Sequence, residues 1–245
     1  MTRKCLISEN LIFNNLEYPL YHVGTMDINK KSRHSYEGNG LSVSMCPSAW
    51  ESIARIGSYE VWKLEKDNIK LLDYYSIPKD AYDSITNWGV ENGYLEEVYG
   101  RYTYCYYDEE LGRDINVLCN DFNEAITELC LEDYYSTYED YLNSDDGDEE
   151  CIYPIKSYKA TDKLQSISLI DVEEGKSAEE QNFLLYIENH TNYDGVYWDE
   201  ELDILALTAP RGVIFNKNIN SFNVTLVTNE DCHDADSIEN QLWDY

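Results

Sequence analysis

Positive charge is scarce in this chain. Its 245 residues hold 18 Lys and Arg against 48 Asp and Glu, a formal net charge of −30. A field of that sign repels phosphate backbones and anionic bilayers at long range, so direct binding of nucleic acid or of a membrane surface is not expected. Long apolar runs are also missing. No segment nears eighteen consecutive apolar residues, and no apolar stretch of the kind that heads an export signal follows Met1–Cys5. The expectation is a soluble, cytoplasmic protein. The seven cysteines, Cys5, Cys46, Cys105, Cys119, Cys130, Cys151 and Cys232, are odd in number, scattered and without a CxxC pair. That spacing speaks against a disulfide framework or a zinc knuckle and for reduced thiols. There is no GxSxG elbow, P-loop or GxGxxG. His190 and His233 have no metal-ligand companions at helical spacing. The acidic run 145–150 lacks the alternating ligands of a calcium loop and reads as an exposed loop. No metal is expected.

What is present in excess is tyrosine, 23 residues against 5 phenylalanines. Such rings give bulk with a polar tip and favour half-buried positions, hydroxyl outward. The length suits one domain, 1–245, read in three parts and a tail. In 11–78, Ser58–Leu64 alternates with Tyr59, Val61 and Lys63 on one face, Asn68–Leu72 reads as a short strand, and Ile77-Pro78 closes the part. The part 79–160 reads as an acidic, Tyr-rich, mostly helical insertion. Phe122, Ile126, Leu129 and Cys130 share a helical face behind an Asn120 or Asp121 cap, and the pattern extends through Tyr134, Tyr138 and Tyr141. The run Tyr104–Glu110 reads as a Tyr-rich strand on a polar sheet face. In 161–230, Ser166–Val172 reads as a strand, Ser177–Ile187 as a helix with a Ser177/Glu180 capping box, and Gly195–Trp198, Arg211–Phe215 and Phe222–Val227 as strands. The tail 231–245 is acidic.

Two blocks carry the chemistry. Leu20-Tyr21-His22-Val23-Gly24-Thr25 ends a strand in a histidine, a glycine and a hydroxyl. Gly40-Leu41-Ser42-Val43-Ser44 is a glycine-led strand running into Pro47–Ala54, which reads as a helix. Far downstream come Tyr193-Asp194-Gly195-Val196 and Gly212-Val213-Ile214-Phe215-Asn216. In order and spacing these segments, about 110 residues in two blocks, resemble the histidine-bearing branch of the ADP-ribosyltransferase superfamily. The resemblance implies an α+β fold with a split mixed or antiparallel sheet, its core halves at 11–78 and 161–230, and NAD as substrate in the cleft between two small sheets. By the same resemblance His22 contacts the ribose beside nicotinamide, the backbone of Val23 and Gly24 holds the carboxamide, and Thr25, Ser42 and Asp194 line the cofactor site. His22, Ser42 and Arg211 are the candidate catalytic residues.

The chain departs from the family at two points. The stacking aromatic of the second strand is absent, with Ser42 in its place and Trp50 or Tyr36 as substitutes. The glutamate before the last strand is also absent: Leu207–Gly212 holds no acid, and the nearest carboxylates are Asp199, Glu200, Glu201 and Asp203. Arg211 near that spot opposes a developing positive charge but suits a phosphate or carboxylate. Cys46 lies near the same strand and reads as a buried thiol. The resemblance implies transfer of ADP-ribose to a macromolecular acceptor, in the toxin or phage–host conflict settings where small divergent members occur. The rival is a non-enzymatic acidic inhibitor or DNA-mimic decoy for a basic protein partner, bound by charge and weakened by salt.

Overall fold

The computed structural model describes residues 6–8, 10–14, 16, 19–26, 40–47, 60–108, 113–131, 134–144, 151–168, 172, 175–199 and 210–227. These residues form a mixed α+β fold with three sheets. The first sheet is antiparallel, in the order β1 (Leu20–Val23), β3 (Val61–Glu65), β10 (Asn223–Leu226). The second is mixed: β2 (Gly40–Val43), β9 (Arg211–Phe215), β8 (Gly195–Trp198), β4 (Leu71–Asp73), with β4 and β8 parallel. The third, antiparallel, sets β5 (Leu95–Asp108) between β6 (Arg113–Cys119) and β7 (Ile152–Ala160). The first two sheets draw their strands from 20–73 and 195–226, the third from 95–160. Helices α1 (Lys79–Glu91) and α5 (Lys176–His190) lie between the second and third sheets. Short helices α2 (Phe122–Glu128) and α3 (Tyr138–Leu142) cover the far side of the third sheet. Two more, α4 (Asp162–Ile167) and α6 (Asn216–Ile219), follow β7 and β9. Among the described residues, no helix is long and apolar enough to cross a membrane.

Side-chain alternation divides the core into layers. Leu41, Val43, Ile214 and Tyr197 of the second sheet meet Leu20 and Leu64 of the first. The opposite face of the second sheet, with Val196, Trp198, Val213 and Phe215, packs on Phe183, Leu184 and Ile187 of α5. Gly195 has no room for a side chain, because a Cβ there would sit 1.9 Å from the Val213 carbonyl oxygen. Helix α5 is buried almost all round, and Asn182 lies against Gly89 of α1, donating to the Ile85 carbonyl at 3.0 Å. Leu95, Tyr158, Leu164, Ala178 and Leu185 join these helices to the third sheet. Tyr104, Phe122, Ile126, Tyr141 and Ile152 form a separate core beneath α2 and α3.

Several sequence expectations change here. The insertion is not mostly helical: the three strands of the third sheet share it with α1, α2 and α3. Its tyrosines alternate along β5, with Tyr102 and Tyr104 facing Phe122 and Tyr138, a pattern that suits a pleated, half-buried surface. Asp121 caps α2 as expected, accepting from the Glu124 N–H at 3.0 Å. The helix does not run on through Tyr134: it stops at Leu129, Cys130 takes a φ of 56°, and α3 restarts behind its own cap, Thr137. Ser166 and Ile167 are helical, because Thr161 caps α4 by accepting from the Leu164 N–H. Helix α5 begins at Lys176 behind Gly175, whose φ is 79°, with no side-chain cap in place of the expected Ser177/Glu180 box. The helix expected over Pro47–Ala54 lies, beyond Pro47, outside the described residues, as do Tyr59, the run 145–150 and the tail.

Candidate functional site

The geometry around His22 follows from a sheet that forks. Strands β1 and β2 touch at one pair: Tyr21 N donates to Ser44 O at 2.8 Å, and Ser44 N to Tyr21 O at 2.9 Å. Beyond it β1 pairs with β3, and β2 with β9. The His22 ring fills the gap where they part. Its Nδ1 lies 2.8 Å from the Ser42 carbonyl oxygen, the acceptor that the next rung of the ladder would have used, and its Nε2 lies 3.2 Å from the Thr25 carbonyl oxygen. Burial pushes the imidazole below its ordinary pKa, and the two carbonyl contacts only partly offset this. The neutral ring has one N–H. Placed on Nδ1, it donates to the nearer carbonyl and leaves the Nε2 lone pair and the Thr25 carbonyl oxygen, both acceptors, facing each other without a shared hydrogen.

Neighbouring backbone completes the fork. Gly24 donates its N–H to Glu60 O at 2.8 Å, and its own carbonyl accepts the Trp62 indole N–H at 3.0 Å. Tyr21 bonds toward β2 and Gly24 toward β3, so strand alternation turns the N–H and C=O of Val23 into the fork, facing Ser42. Gly24 has a φ of 129°, and a side chain there would stand 3.5 Å from His22 Nε2. Glycine therefore keeps that flank open. Trp62 was not singled out from the sequence. It lies directly across from His22, with Leu226 on its far side. Along this inner face Leu20 and Leu64 are fully buried, His22 and Trp62 partly, and Leu226 is 50% exposed, so the face opens at the His22 end. The only earlier signal was the alternation that set Tyr59, Val61 and Lys63 on one side, and hence Trp62 on the other.

The structure thus gathers His22 with the backbone of Val23, Gly24, Thr25 and Ser42; the Ser42 side chain, expected to be catalytic, alternates with Leu41 and Val43 and lies opposite Val213, on the α5 face of the second sheet. The structure also places Arg211 and Asp194 elsewhere. Arg211 alternates with Val213 and Phe215 toward α5, its guanidinium 5.4 Å from the Trp198 ring centre, on the sheet face opposite the one that Leu41 and Val43 turn toward β1. Asp194 stands before β8, at the end of the second sheet where Gly40 pairs with Phe215. It accepts from Lys66 Nζ at 2.5 Å and from Lys70 N at 3.0 Å. Cys46 is buried and donates its N–H to Ser44 Oγ. Of the four candidate carboxylates, only Asp199 is described. It is exposed beyond β8, its pKa raised by partial burial and by Asp73. Glu200, Glu201, Asp203, Leu207–Ala209, Tyr36 and Trp50 lie outside the described residues. Among those described, no three metal-binding side chains converge. A shallow cavity of about 680 Å³ lies at the other end of β1, between Pro19, Glu65, Lys66 and Asn223.

The Arg211 side of the sheet has its own electrostatics. Tyr74 packs on Trp198 and Phe183, and burial and Glu180 push its hydroxyl up to about 12. Glu179 faces this nest and Asp83 of α1; burial, then Glu180, then Asp83 raise its carboxyl to about 7. A folded-state pKa above the unfolded one adds stability that is whole below about 4.5 and lost as pH rises through about 7. Glu179→Gln removes that loss. After discounting for a partly exposed group it is worth about 1 kcal/mol, a melting temperature about 2–4 °C above wild type at pH 8 and unchanged at pH 5. Equal gains at both pH values would contradict the assignment.

No protein-family model, curated protein or solved structure matches this chain.

Proposed function

We propose that this protein binds NAD, or a nucleotide of the same build, in the manner of the ADP-ribosyltransferases, with the nicotinamide end in the fork between β1 and β2. The observation that carries this reading is the group of complementary contacts around His22. Nε2 is an acceptor for a ribose hydroxyl. The N–H and C=O of Val23 match the C=O and N–H of a carboxamide. Trp62 offers a flat face for a heteroaromatic ring, and the backbone carbonyls of Thr25 and Ser42 border the fork.

Transfer of ADP-ribose to a macromolecule needs a carboxylate to stabilise the cationic transition state. In this reading the stretch Asp199–Asp203 supplies it. Binding and transfer are tested separately. Titration with NAD quenches tryptophan fluorescence, and Trp62→Phe removes most of the quench while weakening binding about tenfold, about 1.4 kcal/mol, the worth of a lost stacking surface. Quenching that survives intact in Trp62→Phe would remove the indole from the site. Label carried from NAD onto a protein acceptor reports transfer.

A second reading, the acidic decoy, is favoured by one feature. From Asp114 through Ile155 there are 13 Asp and Glu, Asp114 included, and no Lys, Arg or His. Asp121, Glu124, Glu128, Glu139 and Asp140 of that stretch are exposed on and around α2 and α3. On this reading NAD has no effect, and capture of a basic protein falls steeply between 50 and 300 mM salt, on the order of tenfold or more.

A further inference from the structure

We propose that Cys105 and Cys151 are a redox-modifiable pair, a cross-strand dithiol that a low-molecular-weight disulfide converts reversibly into one intramolecular disulfide. Strand β5 pairs with β7 in a register that sets Tyr104 opposite Ile152. One step further Cys105 faces Cys151, and Cys105 N donates to Cys151 O at 2.8 Å. Opposed residues share a face. Tyr104 and Ile152 point into the core beneath α2 and α3, so both thiols lie on the other side of the sheet, on half-buried residues.

The spacing suits a bond that forms and reopens. Hydrogen-bonded antiparallel partners keep their Cα atoms about 5.5 Å apart, inside the roughly 4.4–6.8 Å that a disulfide spans. Their Cβ atoms, about 4.5–5.5 Å apart, lie at or beyond the roughly 3.5–4.5 Å of a relaxed disulfide. The bond therefore pulls the strands together and is more easily reduced than a structural disulfide. The other described cysteines are placed differently. Cys46 and Cys119 are buried, Cys119 opposite Tyr102 on the α2 side, and Cys130 is exposed just past the end of α2. The chain loop closed by the bond holds every acid from Asp108 to Glu150.

The exchange takes two steps. The thiolate of one cysteine attacks the reagent disulfide, forming a mixed disulfide and releasing one reagent thiolate. The second cysteine, as thiolate, then attacks the protein sulfur of the mixed disulfide. That step forms the Cys105–Cys151 bond and expels the second reagent thiolate. The protein gives up two protons and two electrons, and the reagent disulfide is reduced to two thiols.

The test is incubation of the full chain with oxidised glutathione at pH 8, followed by alkylation, intact mass and peptide mapping. Mapping is expected to give one peptide pair linking Cys105 to Cys151, about 2 Da lighter than the two thiol peptides together, and this pair returns to the dithiol in excess reduced glutathione. Cys105→Ser and Cys151→Ser each retain one glutathione at the surviving partner. The proposal is overturned if the wild-type chain keeps a glutathione on each cysteine, if neither reacts, if the link joins either to Cys130 or another cysteine, or if excess reduced glutathione leaves the bond closed.

Discussion

NAD at about a hundred times its dissociation constant raises the melting temperature of the wild-type chain, and His22→Ala loses the rise. A ligand that binds only the folded state stabilises by about 2.7 kcal/mol at that excess, which in a chain of this size is about 5–10 °C. The variant keeps less than about 2 °C. Its own fold survives, because the lost contact is one hydrogen bond to Ser42 O, about 1 kcal/mol. The effect has a pH signature. Ligand contact needs the unprotonated Nε2, and burial holds the imidazole below its ordinary pKa, so the shift is constant from pH 8 to about 6.5 and falls in more acidic buffer. The stability of the unliganded chain follows the same sign: a base whose folded pKa is depressed contributes fully above its unfolded value, and the contribution fades as pH drops through the folded one. An equal shift in His22→Ala, or none in wild type, would remove NAD from the fork.

The fork was legible because its parts are local. A histidine, a glycine and a hydroxyl at a strand end, then a glycine-led strand, are adjacent in sequence, and the backbone contacts they make follow from strand alternation. Arg211, a candidate catalytic residue, sits away from His22 for a related reason. Sequence order placed it at the start of the right strand, but the period of two turned it to the α5 face with Val213 and Phe215. Trp62 could not be chosen over Trp50, since a cross-strand partner is fixed by register and not by sequence distance. In the insertion two periods competed. Phe122 and Ile126 do form a helical face, but extending it through Tyr134 ignored a chain reversal at Cys130 whose positive φ no residue type announces. Ser166 and Ile167 alternate like a strand, yet Thr161, five residues upstream of Ser166, had already begun a helix.

Asp194→Ala lowers the melting temperature by about 6–12 °C, the other large effect. The sequence marked this residue as a cofactor contact. The structure engages its carboxylate within the protein: Lys66 Nζ on one oxygen, Lys70 N on the other. Its backbone is held as firmly, with Asp194 N on Lys70 O at 2.7 Å, and Phe215 N and Asn218 Nδ2 on Asp194 O. At 6% exposure this carboxylate ties the turn before β8 to the segment leading into β4. Removing it leaves the Lys66 ammonium, itself only 24% exposed, without its counter-ion, and the Lys70 N–H without an acceptor. Breaking one side of such a pair costs about 3 kcal/mol, and about 2–4 °C accompanies each kcal/mol in a domain of this length. Asp194→Asn keeps an acceptor for Lys70 and loses about half as much. Lys66→Ala combined with Asp194→Ala falls short of the sum of the two. Because β9 separates β8 from β2, the NAD-induced shift of Asp194→Asn equals that of wild type. A variant that stays stable and loses the NAD response would instead make Asp194 a ligand contact, and the ion pair with Lys66 incidental.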